Sequence, residues 1–214
     1  MPRTDIAQAP ALAAAALLAA TAVVLAGCAS TKVVAEWADP QFAGRSLKGE
    51  KVLVVCDANE TVVRRICQDQ LAAHLTASGA VPVIGPADLT VGPPPANDRT
   101  LAAARSAGAM AILGSTIAPD ATVVNPGPSV GFSLGGFGFG GGGGGVGAGV
   151  GVGLPVGSAQ TVTGYASELV LTDVASGRLM WTSKVTAPAS QDVNRQIGEL
   201  ARAGVEAAQK AGLF

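Results

Sequence analysis

The apolar positions of this chain follow two periods. Lys51-Val-Leu-Val-Val-Cys56 is a continuous apolar run, the pattern of a strand covered on both faces. Asp57 and Glu60 then stand at capping-box spacing. They predict a helix that opens directly behind the strand and runs to about Ser78, with Val63, Ile66, Cys67, Leu71 and Leu75 on one stripe and Gly79 as its stop. Ala80-Val-Pro-Val-Ile84 predicts the next strand, and Pro82 puts it at an edge or at the start of pairing. Gly85 to Asn97 reads as a Pro-rich surface connection. Asp98 is placed to cap a short alanine-rich helix, Arg99 to Ala107, that Gly108 ends. Met110-Ala-Ile-Leu113 opens a third strand that continues towards Ile117. Two successive strand-helix-strand units favour parallel pairing with right-handed crossovers.

The second half changes period. Thr161 to Thr172 alternates, with Tyr165, Leu169 and Leu171 on one face; Asp173 to Gly177 makes a turn; Leu179, Trp181 and Val185 share a face of the strand that follows. Alternation on both sides of a Gly-containing turn predicts a hairpin. A closing helix from about Ser190 carries Val193, Ile197, Leu200, Gly204 and Ala208 inward. The fold class is therefore α/β: a single small mixed sheet of about five strands with three helices, plus a glycine-rich loop or hairpin. The domain spans residues 51–214, interrupted by the glycine-rich segment 131–157. Residues 28–50 show no sustained period and read as an extended tether, with Trp37 and Phe42 placed to plug an edge of the core.

Charge adds little to this picture. The 14 basic and 15 acidic residues leave a net charge of -1, which gives no electrostatic case for nucleic acid or for an acidic membrane surface.

The N-terminus adds more. Ala11 to Val24 is almost wholly Ala, Leu and Val behind a short head with Arg3, the layout of a secretory signal peptide. Leu25-Ala26-Gly27-Cys28 then resembles the lipobox of bacterial lipoproteins. The resemblance implies that residues 1–27 are a signal peptide cut between Gly27 and Cys28. Cys28 would then be the first mature residue, carrying a diacylglycerol and an N-acyl lipid, more than stable membrane attachment requires. Ala29, where an aspartate would imply inner-membrane retention, implies the periplasmic face of the outer membrane. The alternative is an uncleaved spanning helix over Ala11 to Ala29, near the lower length limit for crossing a bilayer.

Lipidation would leave Cys56 and Cys67 to an oxidising compartment. A helix opening directly behind the strand places Cys67 about 15 Å back along its axis, level with Val52 or Leu53. That separation predicts two buried free thiols rather than a bridge.

No catalytic constellation stands out. His74 is the only histidine, set mid-helix without a Cys or second His at ligand spacing, and reads as structural. Gly138-Phe-Gly140-Gly-Gly-Gly143 satisfies G-x-G-x-x-G only because the stretch is so glycine-rich. It neither follows a buried strand nor opens a helix, so no nucleotide or other cofactor is expected. No catalytic, metal or cofactor-binding residue is assigned.

From Gly131 to Gly157, 15 of 27 residues are glycine, which gives this backbone the largest ordering cost in the chain. The segment reads three ways: a mobile loop, a hairpin extending the domain's own sheet, or a hairpin inserted in a membrane. Val146, Ala148, Val150, Val152 and Leu154 alternate with glycine in one arm, and Phe132, Leu134, Phe137 and Phe139 stand in the other.

The element order, together with Leu169-Val-Leu-Thr-Asp-Val-Ala-Ser-Gly-Arg-Leu-Met-Trp181, resembles envelope lipoproteins related to the curli secretion channel and to the amino-terminal domain of TolB. The resemblance implies a fold and a compartment, and no site. The expected function is that of a non-catalytic, outer-membrane-anchored periplasmic lipoprotein that binds another envelope component. The alternative is a pore or secretion-channel subunit that inserts the glycine-rich hairpin.

Overall fold

The structure, a computed structural model, describes residues 30–92, 97–125, 129–132, 152–155 and 160–214. The signal segment, Gly27, Cys28 and the run 138–143 lie outside the described residues. No helix among the described residues is long and apolar enough to cross a membrane.

Residues Thr31–Phe214 form one body. Its strands are β1 (Lys32–Ala38), β2 (Lys51–Asp57), β3 (Val81–Ile84), β4 (Ala111–Asn125), β5 (Ser129–Phe132), β6 (Val152–Pro155), β7 (Gln160–Asp173) and β8 (Leu179–Thr186). Three helices, α1 (Thr61–Ala77), α2 (Asp98–Ser106) and α3 (Val193–Lys210), complete it. A mixed six-stranded sheet has the order β1-β8-β7-β4-β2-β3. β2 pairs parallel with β3 and β4, whereas β4-β7, β7-β8 and β8-β1 are antiparallel. The two expected strand-helix-strand units and the hairpin are all present, and Pro82 lies in an edge strand.

The apolar run of β2 is buried from Val52 to Cys56 because the sheet is covered on both faces. Val52, Val54 and Cys56 join Leu71, Leu75, Ile197 and Leu200 of α1 and α3 on one side. Leu53 and Val55 join Leu101 and Ala104 of α2 on the other.

Three local expectations shift. α1 opens at Thr61: Asp57 finishes β2, and Glu60 stands at the N-cap without a side-chain capping bond. At α2 the cap is Asn97, whose side chain accepts from the Thr100 amide at 2.8 Å, with Asp98 already inside the first turn. The sixth strand, β1, lies within the stretch read as a tether. Every residue of β1 is exposed, and its register slips between Val33 and Ala35, so neither alternation nor burial marks it in the sequence. Backbone pairing with β8 holds it, helped by the Trp181 indole, which donates to Glu36 at 2.9 Å. Beyond β1, Arg178 pairs with Asp39 at 2.9 Å, Arg45 pairs with Asp173 at 2.8 Å, and both guanidiniums lie over the Phe42 ring. Leu47 is buried beside the chain end, its amide donating to the Leu213 carbonyl.

The thiols are not free. Cys56 and Cys67 form a disulfide with Cα atoms 6.2 Å apart. The expectation failed on the start of the helix. Because residues 58–60 carry the chain past the strand before α1 turns back, Cys67 lies only about 9 Å into the helix, which returns it to the level of Cys56. Replacing both cysteines with alanine is expected to lower unfolding stability by about 2–4 kcal/mol, read as a lower denaturant midpoint at unchanged slope. The unreduced, denatured protein is expected to show no free thiol at either position.

Candidate functional site

The chain leaves β2 through α1 to β3 on one side and returns from β3 through α2 to β4 on the other side of β2. In open α/β sheets this arrangement makes a crevice beyond the carboxyl ends of the strands. Here a recess of about 50 Å³ lies there, walled by Ala58, Asn59, Glu60 and Val63 on one side and by Ile117, Pro119 and Tyr165 on the other. It opens into two shallow depressions that share Glu60, Val63 and Tyr165 with it and reach Gln191, Asp192 and Val193 before and at the start of α3. Together they form a groove between the first turns of two helices and the root of the β4-β7 pair.

Specific contacts build this groove. Arg64 donates to the carbonyls of Ala58 at 2.8 Å and Ala87 at 3.2 Å, fixing the turn after β2. Asp192 caps α3 through the Arg195 amide at 2.9 Å. Buried Gln196 donates to the carbonyls of Thr163 and Ser190 and so ties α3 to β7. Gly164 lets the segment after β8 cross β7 closely: a Cβ there would stand 2.9 Å from the Ala187 carbonyl oxygen and 3.1 Å from the Ala189 nitrogen.

Glu60 and Asp192 are the charged residues that line the groove and give it one sign, and Arg64 beside it is committed to backbone carbonyls. An acidic groove of this kind does not suit a phosphate or other anion. Among the described residues no three His, Cys, Asp or Glu side chains are grouped as metal ligands. A second recess, about 20 Å³, lies between Val55, Val91, Gly114 and Val170 and is large enough for one water at most.

The groups with displaced titration lie elsewhere. Asp173 sits at the turn between β7 and β8, at the opposite end of the sheet. Burial opposes its ionisation, but the Ser176 hydroxyl and amide and the Arg45 guanidinium outweigh burial and hold its pKa below the usual carboxylate range. Glu199 on α3 accepts from the Thr31 hydroxyl at 2.9 Å and from Arg195 at 3.0 Å, and both lower its pKa. His74, the one histidine, lies between α1 and α3, away from the groove. Burial first, and then Arg202, lower its pKa, against the opposing pull of Glu206 and of the Gly198 backbone.

The glycine-rich segment is described only at its base. β5 and β6 pair antiparallel, from Ser129 with Pro155 to Phe132 with Val152, as a two-stranded sheet of their own. Residues 126–128 and 156–159, outside the described residues, lie between them and β4 and β7, which pair as far as Asn125 and Gln160. The base is thus a hairpin, not an unpaired loop.

Two predictions come from these contacts. Gly164→Ala is expected to displace the crossing segment and cost about 1–3 kcal/mol in urea unfolding. His74, with its folded-state pKa lowered, takes up its proton in the unfolded state first. Stability is therefore retained above about pH 6.5 and lost as pH falls from there towards the folded-state value, and the thermal midpoint of His74→Gln is expected to fall less over that window.

No family model matches the chain, and no match is found among curated proteins. Among solved structures the chain is similar to the PelC dodecamer from Paraburkholderia phytofirmans, with 14% identity over 86% of this chain and 99% of that one and a TM-score of 0.48. It is also similar to a single-substitution form of that dodecamer, with 15% identity over 81% and 96% of the two chains and a TM-score of 0.42.

Proposed function

We propose that this chain is a lipid-anchored, non-catalytic protein of the bacterial envelope, held on the periplasmic face of the outer membrane by acylated Cys28, that recognises another envelope component. The observation that carries this reading is Leu25-Ala-Gly-Cys28 standing three residues before a folded body that begins at Thr31. An anchor followed at once by a packed domain is the design of a protein whose task is to be present at a surface. The groove supports recognition rather than chemistry, since its carboxylates share one sign and lack an opposing acid, base or nucleophile brought to them.

A second reading, a subunit of an oligomeric assembly that inserts the glycine-rich hairpin, is favoured by one observation: β5 and β6 at the base of that segment pair antiparallel. Size analysis of the detergent-solubilised protein separates the two readings. A monomer whose size is unchanged on deleting residues 133–151 supports the recognition role, and a ring lost on that deletion supports assembly.

Replacing Cys28 with serine is expected to leave an uncut, unacylated precursor and to abolish outer-membrane fractionation while leaving the disulfide and fold intact. An intact starting methionine and no acyl mass on the native protein would overturn the proposed anchor.

A further inference from the structure

The strand pairing fixes which end of the domain carries the anchor. Lys32 of β1 pairs with Thr186, Thr186 with Ala166, and Ala166 with Ala118, so the first residue of β1 is level with Ala118 of β4. This is the carboxyl end of the parallel strands, beyond Asp57 and Thr116, where β2 and β4 stop pairing. From Ala118 the β4-β7 pair projects to Asn125 and Gln160, about 20 Å further at strand rise, with the segment after β8 crossing β7 at Gly164 and Ser190 bridging Thr163. Cys28 precedes Lys32 by four residues, and four residues of chain span at most about 14 Å by any path. The projection of the β4-β7 ribbon therefore exceeds the reach of the anchor, and both leave the same end of the sheet.

Exposed valines lie at this end: Val33 and Val34, five and six residues after Cys28, are 38% and 55% exposed, Val62 in the first turn of α1 is 60% exposed, and Val123 on the ribbon is 44% exposed. The opposite end carries exposed Val81 and Met110 beside the ion pairs of Arg45 with Asp173 and Arg178 with Asp39.

Resting on the acylation of Cys28, we propose that the carboxyl end of the sheet, from Val33 and Val34 to the projecting end of the β4-β7 ribbon, is seated on a phospholipid surface. A domain on a long tether would hang clear of the bilayer. This one is held flush, because every residue from Thr31 onward up to β2 is built into the fold, and its ribbon meets the lipid whether it stands along the membrane normal or lies on the surface. Apolar contact and the anchor hold the seat. Asp57, Glu60, Asp120 and Asp192 outnumber Lys32, Arg64 and Arg195 there, so attraction to anionic lipid contributes nothing and added salt leaves the seat in place.

The test uses the acylated full-length protein in vesicles of phosphatidylethanolamine with a minority of phosphatidylglycerol, with the native disulfide intact. An environment-sensitive fluorophore is attached at Val123→Cys, Thr122→Cys or Ser176→Cys, and the vesicles contain lipid carrying a nitroxide quencher. Several-fold stronger quenching at position 123 or 122 than at 176 is expected, unchanged by high salt. Quenching at both 122 and 123 marks an upright ribbon, and quenching at one of them marks a ribbon lying flat, since adjacent strand residues point to opposite faces. Equal, weak quenching at all three positions in protein that floats with the vesicles and shows the acyl mass would overturn the orientation alone. A chain without acyl mass would overturn the anchor and the orientation together.

Discussion

The sheet depends on the pairing of β4 with β7. It runs from Ala111 opposite Asp173 to Asn125 opposite Gln160, and it joins two halves built on different rules. On one side lie the parallel strands β2 and β3 with their crossover helices, and on the other the antiparallel β7-β8-β1 meander. Ser115 and Ser167 lie diagonally across this seam, buried and hydrogen-bonded to each other at 2.9 Å, a polar pair satisfied internally within an apolar layer. α3 packs on β7 so closely that a Cβ on Gly204 would meet the Leu169 methyl groups at 2.7–2.8 Å. Because β4 and β7 are each longer than their other neighbours, the seam also makes the ribbon that leaves the sheet.

What could be read from the sequence followed burial. The run Val52 to Cys56, the stripe Val63-Cys67-Leu71-Leu75 and the alternation of β7 and β8 announce themselves because their side chains enter a core, and the architecture follows from them. β1 has no buried face, and its bulge at Val34 breaks the period of two, so it left no apolar signal. The side-chain bond that helps to hold it, the indole of Trp181 on Glu36, links residues 145 positions apart and cannot be read from local spacing. The disulfide was missed for a smaller reason. A start of α1 displaced by about three residues moves a cysteine by nearly a turn of helix, enough to turn an impossible bridge into a formed one.

The candidate groove was less legible still. Asn59, Glu60, Pro119 and Tyr165 are unremarkable in sequence, and they meet only because β2 stops at Asp57 while β4 continues past Ile117. The one available signal was topological: two successive strand-helix-strand units that run in opposite directions across the sheet imply a crevice at the carboxyl ends of the strands. Composition pointed instead to the glycine-rich segment, whose described base shows only that its arms are paired.

The way the N-terminal stretch is fastened bears on what an anchor at Cys28 does to this domain. β1 begins at Lys32 and runs antiparallel to β8, with Thr31 held by Glu199 at its start, Glu36 held by Trp181 along it, and Asp39 and Arg45 ion-paired beyond its end. Tension arriving from the lipid therefore acts along the strand, loading its ladder bonds together in shear rather than opening them one at a time. The same residues read as a flexible tether would take up that tension by uncoiling, and the domain would drift from the membrane by the length of some twenty residues. Built into the sheet, they pass the load directly to Trp181, a fully buried core residue. The anchor and the core are in this way mechanically continuous, which keeps the carboxyl end of the sheet at a fixed short distance from the point of attachment.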